Sequence, residues 1–184
     1  VNKITFIIPS INRKSLTRTI DSVLKQTNNN WEAIIIYDGV NGQEFNDNRI
    51  KTRTIDKLGV TIDGHGQSGL VRNVGIKEAN TKWIAFLDDD DTINSNYAQT
   101  LLTKYAKYDW VLWKMKYQNG LVLPQNNQLV FANFGISFAY KKDKFPNLLF
   151  KNNRDGEDFD FVKELENKSK NYIITEEIYY NVNH

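Results

Sequence analysis

The chain has 184 residues, with 24 Lys+Arg against 22 Asp+Glu, a formal net charge of +2, 40% hydrophobic and 12% aromatic residues. That composition describes one globular domain with a packed core and excludes a disordered chain. There is no cysteine, which excludes disulfides, thiolate metal sites and a cysteine nucleophile, and the interspersed charges form no basic tract that would point to nucleic acid.

Lys3 to Ile8 is a continuous apolar run closed by Pro9, the pattern of a fully buried parallel strand. Leu16, Ile20, Val23 and Leu24 then fall on one helical face, with Ser15 at the N-cap position. Trp31 to Tyr37 reads as a second buried strand ending at Asp38-Gly39, and Ile50 to Ile55 as a weaker third. A glycine-punctuated loop (Gly59, Gly64, Gly66, Gly69) leads into a helix expected to turn Leu70, Val71 and Val74 inward. Trp83 to Leu87 is a strand that runs directly into four acids, Asp88 to Asp91. Alternating strands and helices imply an α/β fold with a mostly parallel central sheet flanked by helices.

The second half is less regular. Tyr97 to Lys107 has helical spacing, Asp109 to Tyr117 is strand-like, and Asn119-Gly120 predicts a tight turn into Leu121 to Leu123. Gly135 to Tyr140 reads as a strand, Glu157 to Leu165 as a helix, and Tyr172 to Val182 as one or two strands. No linker is evident, so residues 1–184 read as one domain, its more regular half ending with the acids at Asp91 and its less regular half running from 92 to 184. No apolar stretch approaches the ~18 residues that span a bilayer. The expectation is a cytoplasmic protein with no transmembrane segment, for which peripheral membrane association stays open.

Parallel strands open along one edge, so Ser10, Asp38 and Asp88 to Asp91 should meet in a crevice. Three neighbouring strands about 4.8 Å apart span the length of a nucleoside diphosphate. Four adjacent carboxylates repel one another by on the order of 1 kcal/mol per pair in bulk water. A divalent cation with hard oxygen ligands, Mg²⁺ or Mn²⁺, is a natural counter-charge; a solvated acidic loop capping a helix near Ser95 is the other reading. In an extended segment Asp88 and Asp90 would share one side and Asp89 the other.

Lys3-Ile-Thr-Phe-Ile-Ile-Pro-Ser-Ile-Asn-Arg13 resembles the opening strand of family 2 glycosyltransferases, which have the GT-A fold, and Trp31 to Gly39 resembles their second strand. Gly69-Leu-Val-Arg-Asn-Val-Gly75 followed by Trp83-Ile-Ala-Phe-Leu-Asp-Asp-Asp-Asp91 is similar to that family's Ala-Arg-Asn-x-Gly helix and Phe-Leu-Asp-x-Asp-Asp metal motif. The resemblance implies metal-dependent transfer of a sugar from a nucleotide-sugar donor, a UDP-sugar, to a saccharide or other hydroxyl acceptor with inversion. Pro9, Ser10 and Asn12 would line the nucleotide pocket, Asp38 would accept from the base edge, and Arg72 would reach the diphosphate unless it is a surface helix residue. Asp88 and Asp89 would contact the donor; Asp90 and Asp88 would hold Mn²⁺ or Mg²⁺, with Asp91 and His184 as further ligand candidates.

Arg154-Asp-Gly-Glu-Asp-Phe-Asp-Phe161 resembles the family's Gly-Glu-Asp motif, which makes Asp158 the base and leaves Glu157 and Asp160 as competitors. Acids in a helix's first turn also stabilise its dipole without catalysing anything. His65 could touch phosphate or acceptor, or be a solvated loop residue; Trp110 and Trp113 could stack an acceptor sugar or pack in the core. Tyr37 and Val40 depart from the family's usual Asp and Ser, leaving the donor base open. Two rivals remain: a domain that binds nucleotide or glycan without turnover, and a sugar-phosphate nucleotidyltransferase, which would want a glycine in the Pro9 to Lys14 loop.

Overall fold

A computed structural model describes residues 2–59, 67–152 and 156–184. His65 and Arg154 lie outside the described residues. β1 (Ile4–Ser10) and β2 (Trp31–Asp38) are buried along their whole length, as their unbroken apolar runs require of central strands. They pair in parallel from Ile4 opposite Trp31 to Ser10 opposite Tyr37. β1 runs one residue past Pro9. The Ile7 carbonyl accepts from Leu87 N–H, so Pro9 faces the same side, where β4 (Trp83–Phe86) has already ended. The missing proline donor therefore breaks no ladder bond.

β3 (Ile50–Ile55) pairs with β2 on the outer edge and its side chains are mostly exposed or half-buried. α1 (Leu16–Leu24) buries Leu16, Ile20 and Val23 as expected, while Leu24 is exposed. Ser15 occupies the N-cap position without a side-chain capping bond. α2 (Ser68–Glu78) differs in which face it buries: Val71, Arg72, Asn73, Gly75 and Ile76 face inward, whereas Leu70 and Val74 are half-buried. The reason is contact distance. A Cβ on Gly75 would lie 2.6 Å from Ile7 Cγ2 and 3.0 Å from Ile36 Cδ1, so the helix lies flush on β1 and β2 through its smallest residue. Asn73 is tolerated inside because it exchanges two hydrogen bonds, at 2.9 and 2.8 Å, with the Phe150 backbone.

Beyond β4 the sheet is mixed. β5 (Thr92–Ile93), β6 (Trp110–Lys116), β7 (Val122–Leu123), β8 (Phe138–Lys141) and β9 (Tyr172–Asn181) extend it in the order β3-β2-β1-β4-β8-β6-β9-β5, with β7 on β6. β8 is antiparallel to β4 and β6, while β9 is parallel to β6. The turn at Asn119-Gly120 forms, with Gly120 at φ +87°. α3 (Tyr97–Leu102) stops five residues short of the expected Lys107: Tyr105 N–H bonds back to the Thr100 carbonyl, unwinding the chain so that the Tyr105 ring is buried. α4 (Glu157–Lys168) matches its acidic start and buries Phe161, Val162 and Leu165.

Trp110 and Trp113 are both fully buried, stacked on Tyr172 and Tyr179 at centroid distances of 4.1 and 5.0 Å. They are core residues, so neither can stack an acceptor sugar. No described helix is long and apolar enough to cross a membrane.

Candidate active site

At the carboxyl edge of the parallel strands, Pro9, Ser10, Arg13, Asp38, Lys57 and Asp89 line a cleft of about 210 Å³. Ser10 Oγ donates to Asp89 Oδ2 at 2.7 Å and accepts from Asn12 N–H at 2.9 Å. Asn12 itself turns away from the cleft lining: it adopts a left-handed φ of 61° and donates its side-chain amide to the Asn41 carbonyl at 3.1 Å. Asp38 is buried, and its two oxygens accept the backbone N–H groups of Leu58 and Gly59 at 2.6 and 3.0 Å. It therefore ties the loop after β3 to the end of β2 while forming part of the cleft wall. Tyr37 packs beneath the neighbouring loop, its hydroxyl donating to the Gln43 carbonyl at 2.8 Å.

The four acids are not extended. Asp91 N–H donates to the Asp88 carbonyl at 3.1 Å, and this turn sends the carboxylates in different directions, so the expected alternation of Asp88 and Asp90 against Asp89 does not hold. Asp88 pairs with Arg72. Asp89 faces Ser10 and Arg13, while Asp90 meets Arg13 Nη1 at 2.8 Å. Asp91 is buried; it accepts Asn183 N–H at 3.0 Å, and burial pushes its carboxyl up to about 6 against that hydrogen bond, with Asp88 adding to the rise. Burial also raises Asp89, opposed by Ser10 and Arg13.

The repulsion within this turn is offset in part by arginines that sequence reasoning did not single out. Arg13 bridges Asp89 and Asp90, and Arg18 donates to the Asp90 carbonyl at 2.7 Å. Thr19, next to Arg18 on α1, donates its Oγ1 to the Asp91 carbonyl at 2.7 Å. The polar stretch between β1 and α1 was the available signal, since it must border the same edge of the sheet as the acids.

Arg72 is 3% exposed, so it is not a surface helix residue. Its guanidinium donates to Asp88 and to Glu157 Oε1 at 2.8 Å and lies 3.7 Å from Asp158 Oδ1. Burial alone would lower its pKa, but Asp88, Asp158 and Glu157 together hold it above the usual arginine range. It is thus an internal strut between α2, the acidic turn and α4, outside the lining of the donor-side cleft. Glu157 also accepts Gly69 N–H with both oxygens, at 3.0 and 2.9 Å, capping the first turn of α2. Its carboxylate is thus committed to Gly69 and Arg72.

Asp158 has a different environment. Its Oδ1 is buried without a hydrogen-bond partner among the described residues, while the side chain as a whole is 27% exposed. Burial raises its carboxyl to about 7; Arg72 opposes the rise, and Asp88 and Glu157 reinforce it. A carboxyl titrating there can take a proton near neutrality. Asp160 sits half-buried in the same helical turn.

Among the described residues, the side chains whose ligating atoms come together are Asp90, Asp91 and His184, all within 4.8 Å of one another. Two carboxylates and an imidazole suit a divalent cation such as Mn²⁺ or Mg²⁺. Asp88 is outside this group because Arg72 holds it. His184 arrives through β5, whose antiparallel pairing with the end of β9 carries the chain terminus to the turn.

The family model for glycosyl transferase family 2 matches residues 5–155. WfgD of Escherichia coli, a UDP-Glc:alpha-D-GlcNAc-diphosphoundecaprenol beta-1,3-glucosyltransferase, is 30% identical over 140 residues, covering 72% of this chain and 46% of its own. The poly(ribitol-phosphate) beta-N-acetylglucosaminyltransferase TarS of Staphylococcus aureus is 26% identical over 98% of this chain and 33% of its own. The chain therefore spans less than half the length of either relative. The crystal structure of TarS 1–349 with UDP shares the fold with a TM-score of 0.72 at 20% identity, over 99% of this chain and 60% of that one; the complex with UDP-GlcNAc gives 0.69. On a family match that runs from the first strand to the edge of α4, in a GT-A architecture, this chain belongs to glycosyl transferase family 2.

Proposed function

We propose that the chain transfers a sugar from a nucleotide-sugar donor, a UDP-sugar, to a hydroxyl of a saccharide or other acceptor, with inversion at the anomeric carbon. The observation that carries this reading is the pairing, through one buried arginine, of the acidic turn after β4 with the buried-edge Asp158 carboxyl, which burial pushes up to about 7. The UDP-glucose named for WfgD and the UDP-GlcNAc bound to TarS support the choice of UDP.

In this scheme Pro9, Ser10 and Asp38 form the nucleotide side of the cleft, residues 1–91 acting as the donor half. Asp38 retains free lone pairs for a base N–H while holding Leu58 and Gly59. Arg13 and Lys57, both on the cleft wall, offer charged donors to phosphate oxygens. Asp158, in the acceptor half 92–184, takes the acceptor's hydroxyl proton as its oxygen bonds to the anomeric carbon; the bond from that carbon to the diphosphate breaks, and UDP departs with the electron pair. One displacement inverts the centre, whereas retention would need a second carboxylate on the opposite face. Asp90, Asp91 and His184 would hold Mn²⁺ or Mg²⁺, whose charge would stabilise the leaving diphosphate. Arg72 positions Asp88, Glu157 and Asp158 and does not itself touch the donor.

The test is turnover of UDP-glucose and UDP-GlcNAc with Mn²⁺ by the wild type and Asp158→Asn. Loss of transfer by about 10²–10⁴-fold with UDP binding retained is expected; full transfer by the variant refutes the assignment.

A further inference from the structure

Phe131 is 62% exposed, the highest value among the large apolar side chains of the described residues that stand out to solvent. It does not hang free. Its ring packs edge-on against Phe159 at 5.7 Å, and Phe159 leans on Phe134 at 6.0 Å. The loop that carries it is firmly built: the Asn133 side chain donates to the Asn126 and Gln128 carbonyls at 3.4 and 2.9 Å and accepts Gln125 N–H at 3.2 Å. Ala132, next to Phe131, sits at φ 61°, a left-handed conformation that costs a non-glycine residue about 1 kcal/mol. Strain retained to hold an apolar ring in solvent calls for a reason beyond packing.

The ring's location supplies one. A Cβ on Gly156 would lie 2.7 Å from Phe131 Cε2, so Phe131 covers the tip of α4 two residues before Asp158. On the other flank, a Cβ on Gly135 would lie 3.9 Å from Asp158 Oδ2. The same loop region thus borders both the ring and the base.

We propose that Phe131, backed by Phe159, is a stacking platform for a pyranose ring of the acceptor, which it presents to Asp158. This deepens the transferase reading and rests on it. A sugar offers an apolar C–H face to an aromatic ring and hydroxyls around its rim; Phe131 beside the acids of the first turn of α4 matches both. A lipid chain would match the ring and be repelled by those acids.

The probe is octyl β-D-glucopyranoside below its micellar concentration, followed by saturation-transfer NMR with UDP and Mn²⁺ present. Wild type should saturate the ring protons of the sugar, and Phe131→Ala and Phe131→Leu should both weaken that signal by about two- to tenfold, while Phe131→Trp keeps it. Calorimetric UDP affinity should be the same in all four proteins. Saturation centred on the octyl chain, or retention of the signal in Phe131→Leu, overturns the sugar platform in favour of a lipid site. No ring saturation in wild type that still binds UDP, or equal saturation in Phe131→Ala, overturns the platform and leaves the transferase reading standing. Failure of wild type to bind UDP overturns both.

Discussion

Replacing Asp158 with Asn removes a charge and leaves the shape, so its effect on stability isolates what that charge does to the fold. The carboxyl moves from an ordinary 3.8 to about 7, burial first, against the pull of Arg72. At about 1.36 kcal/mol per pK unit this is roughly 4 kcal/mol of unfavourable charge burial above pH 7. Because the side chain is 27% exposed, solvent screening brings the expected figure to roughly 2 kcal/mol. For a chain of this length that is about 4–8 °C in Tm. A raised carboxyl pKa means that the folded state holds the proton longer than the unfolded one. The favourable contribution is complete below about pH 4 and is lost as pH climbs through about 7. Asp158→Asn should therefore melt with the wild type near pH 4 and above it near pH 8, in parallel scanning calorimetry. An equal difference at the two pH values, or a less stable variant near pH 8, would refute the account of a strained, ionised Asp158.

The same titration should appear in catalysis with the opposite sense: kcat/KM of the wild type with UDP-glucose or UDP-GlcNAc rises with pH through about 7, and a flat profile from about pH 5.5 to 8.5 would contradict a base at Asp158. Arg72→Gln strips the one cation that, among the described residues, pairs with Asp88, Glu157 and Asp158 and should cost about 3–5 kcal/mol, read as a Tm loss of roughly 10 °C; adding Asp158→Asn should recover part of it, and additive losses would argue against a shared cluster. Asp90→Ala should abolish the Mn²⁺-dependent part of UDP binding in calorimetry, and unchanged affinities with and without Mn²⁺ would exclude Asp90 from a metal site. Gly75→Ala gains about 1 kcal/mol of helix propensity but forces a Cβ to within 2.6 Å of Ile7, an overpacking that costs about 1–3 kcal/mol; a lower urea midpoint is expected, and a higher one would mean that α2 can lift off the sheet.

What could be read from sequence divides along the range of the interactions involved. β1, β2 and β4 are buried on both faces, so their continuous apolar runs and the acids that follow β4 predicted the edge where Ser10, Asp38 and Asp89 meet. Two-residue β5 has no period to detect, yet its pairing with β9 brings Asn183 and His184 to Asp91. The make-up of the cluster around Asp90, with Asp91 and His184 and without Asp88, therefore depends on contacts between residues more than ninety positions apart. α3 ends early although Tyr105 keeps helical spacing, because an i to i−5 hydrogen bond buries that ring equally well. Arg72 illustrates the sharpest limit: an arginine in a helix is ordinarily solvated, and nothing local announces that three carboxylates from distant segments surround it.

That buried cluster ties the acidic turn after β4 to the first turn of α4 through one guanidinium. With all groups ionised, one guanidinium faces three carboxylates, an excess of negative charge that water cannot fully screen. Asp88 and Glu157 have direct hydrogen bonds to Arg72, whereas Asp158 stands at 3.7 Å with its inner oxygen unpartnered. Burial first drives the Asp158 carboxyl up to about 7; Arg72 opposes the rise, and Asp88 and Glu157 reinforce it. Glu157 meanwhile grips the first turn of α2 through Gly69, and Asp38 grips Leu58 and Gly59 on the approach to that helix. The Asp38 anchor and the start of α2 are thus linked, through Glu157, to the residue before Asp158. A change that loosens Glu157 should alter the proton affinity of Asp158 even though it leaves that side chain intact.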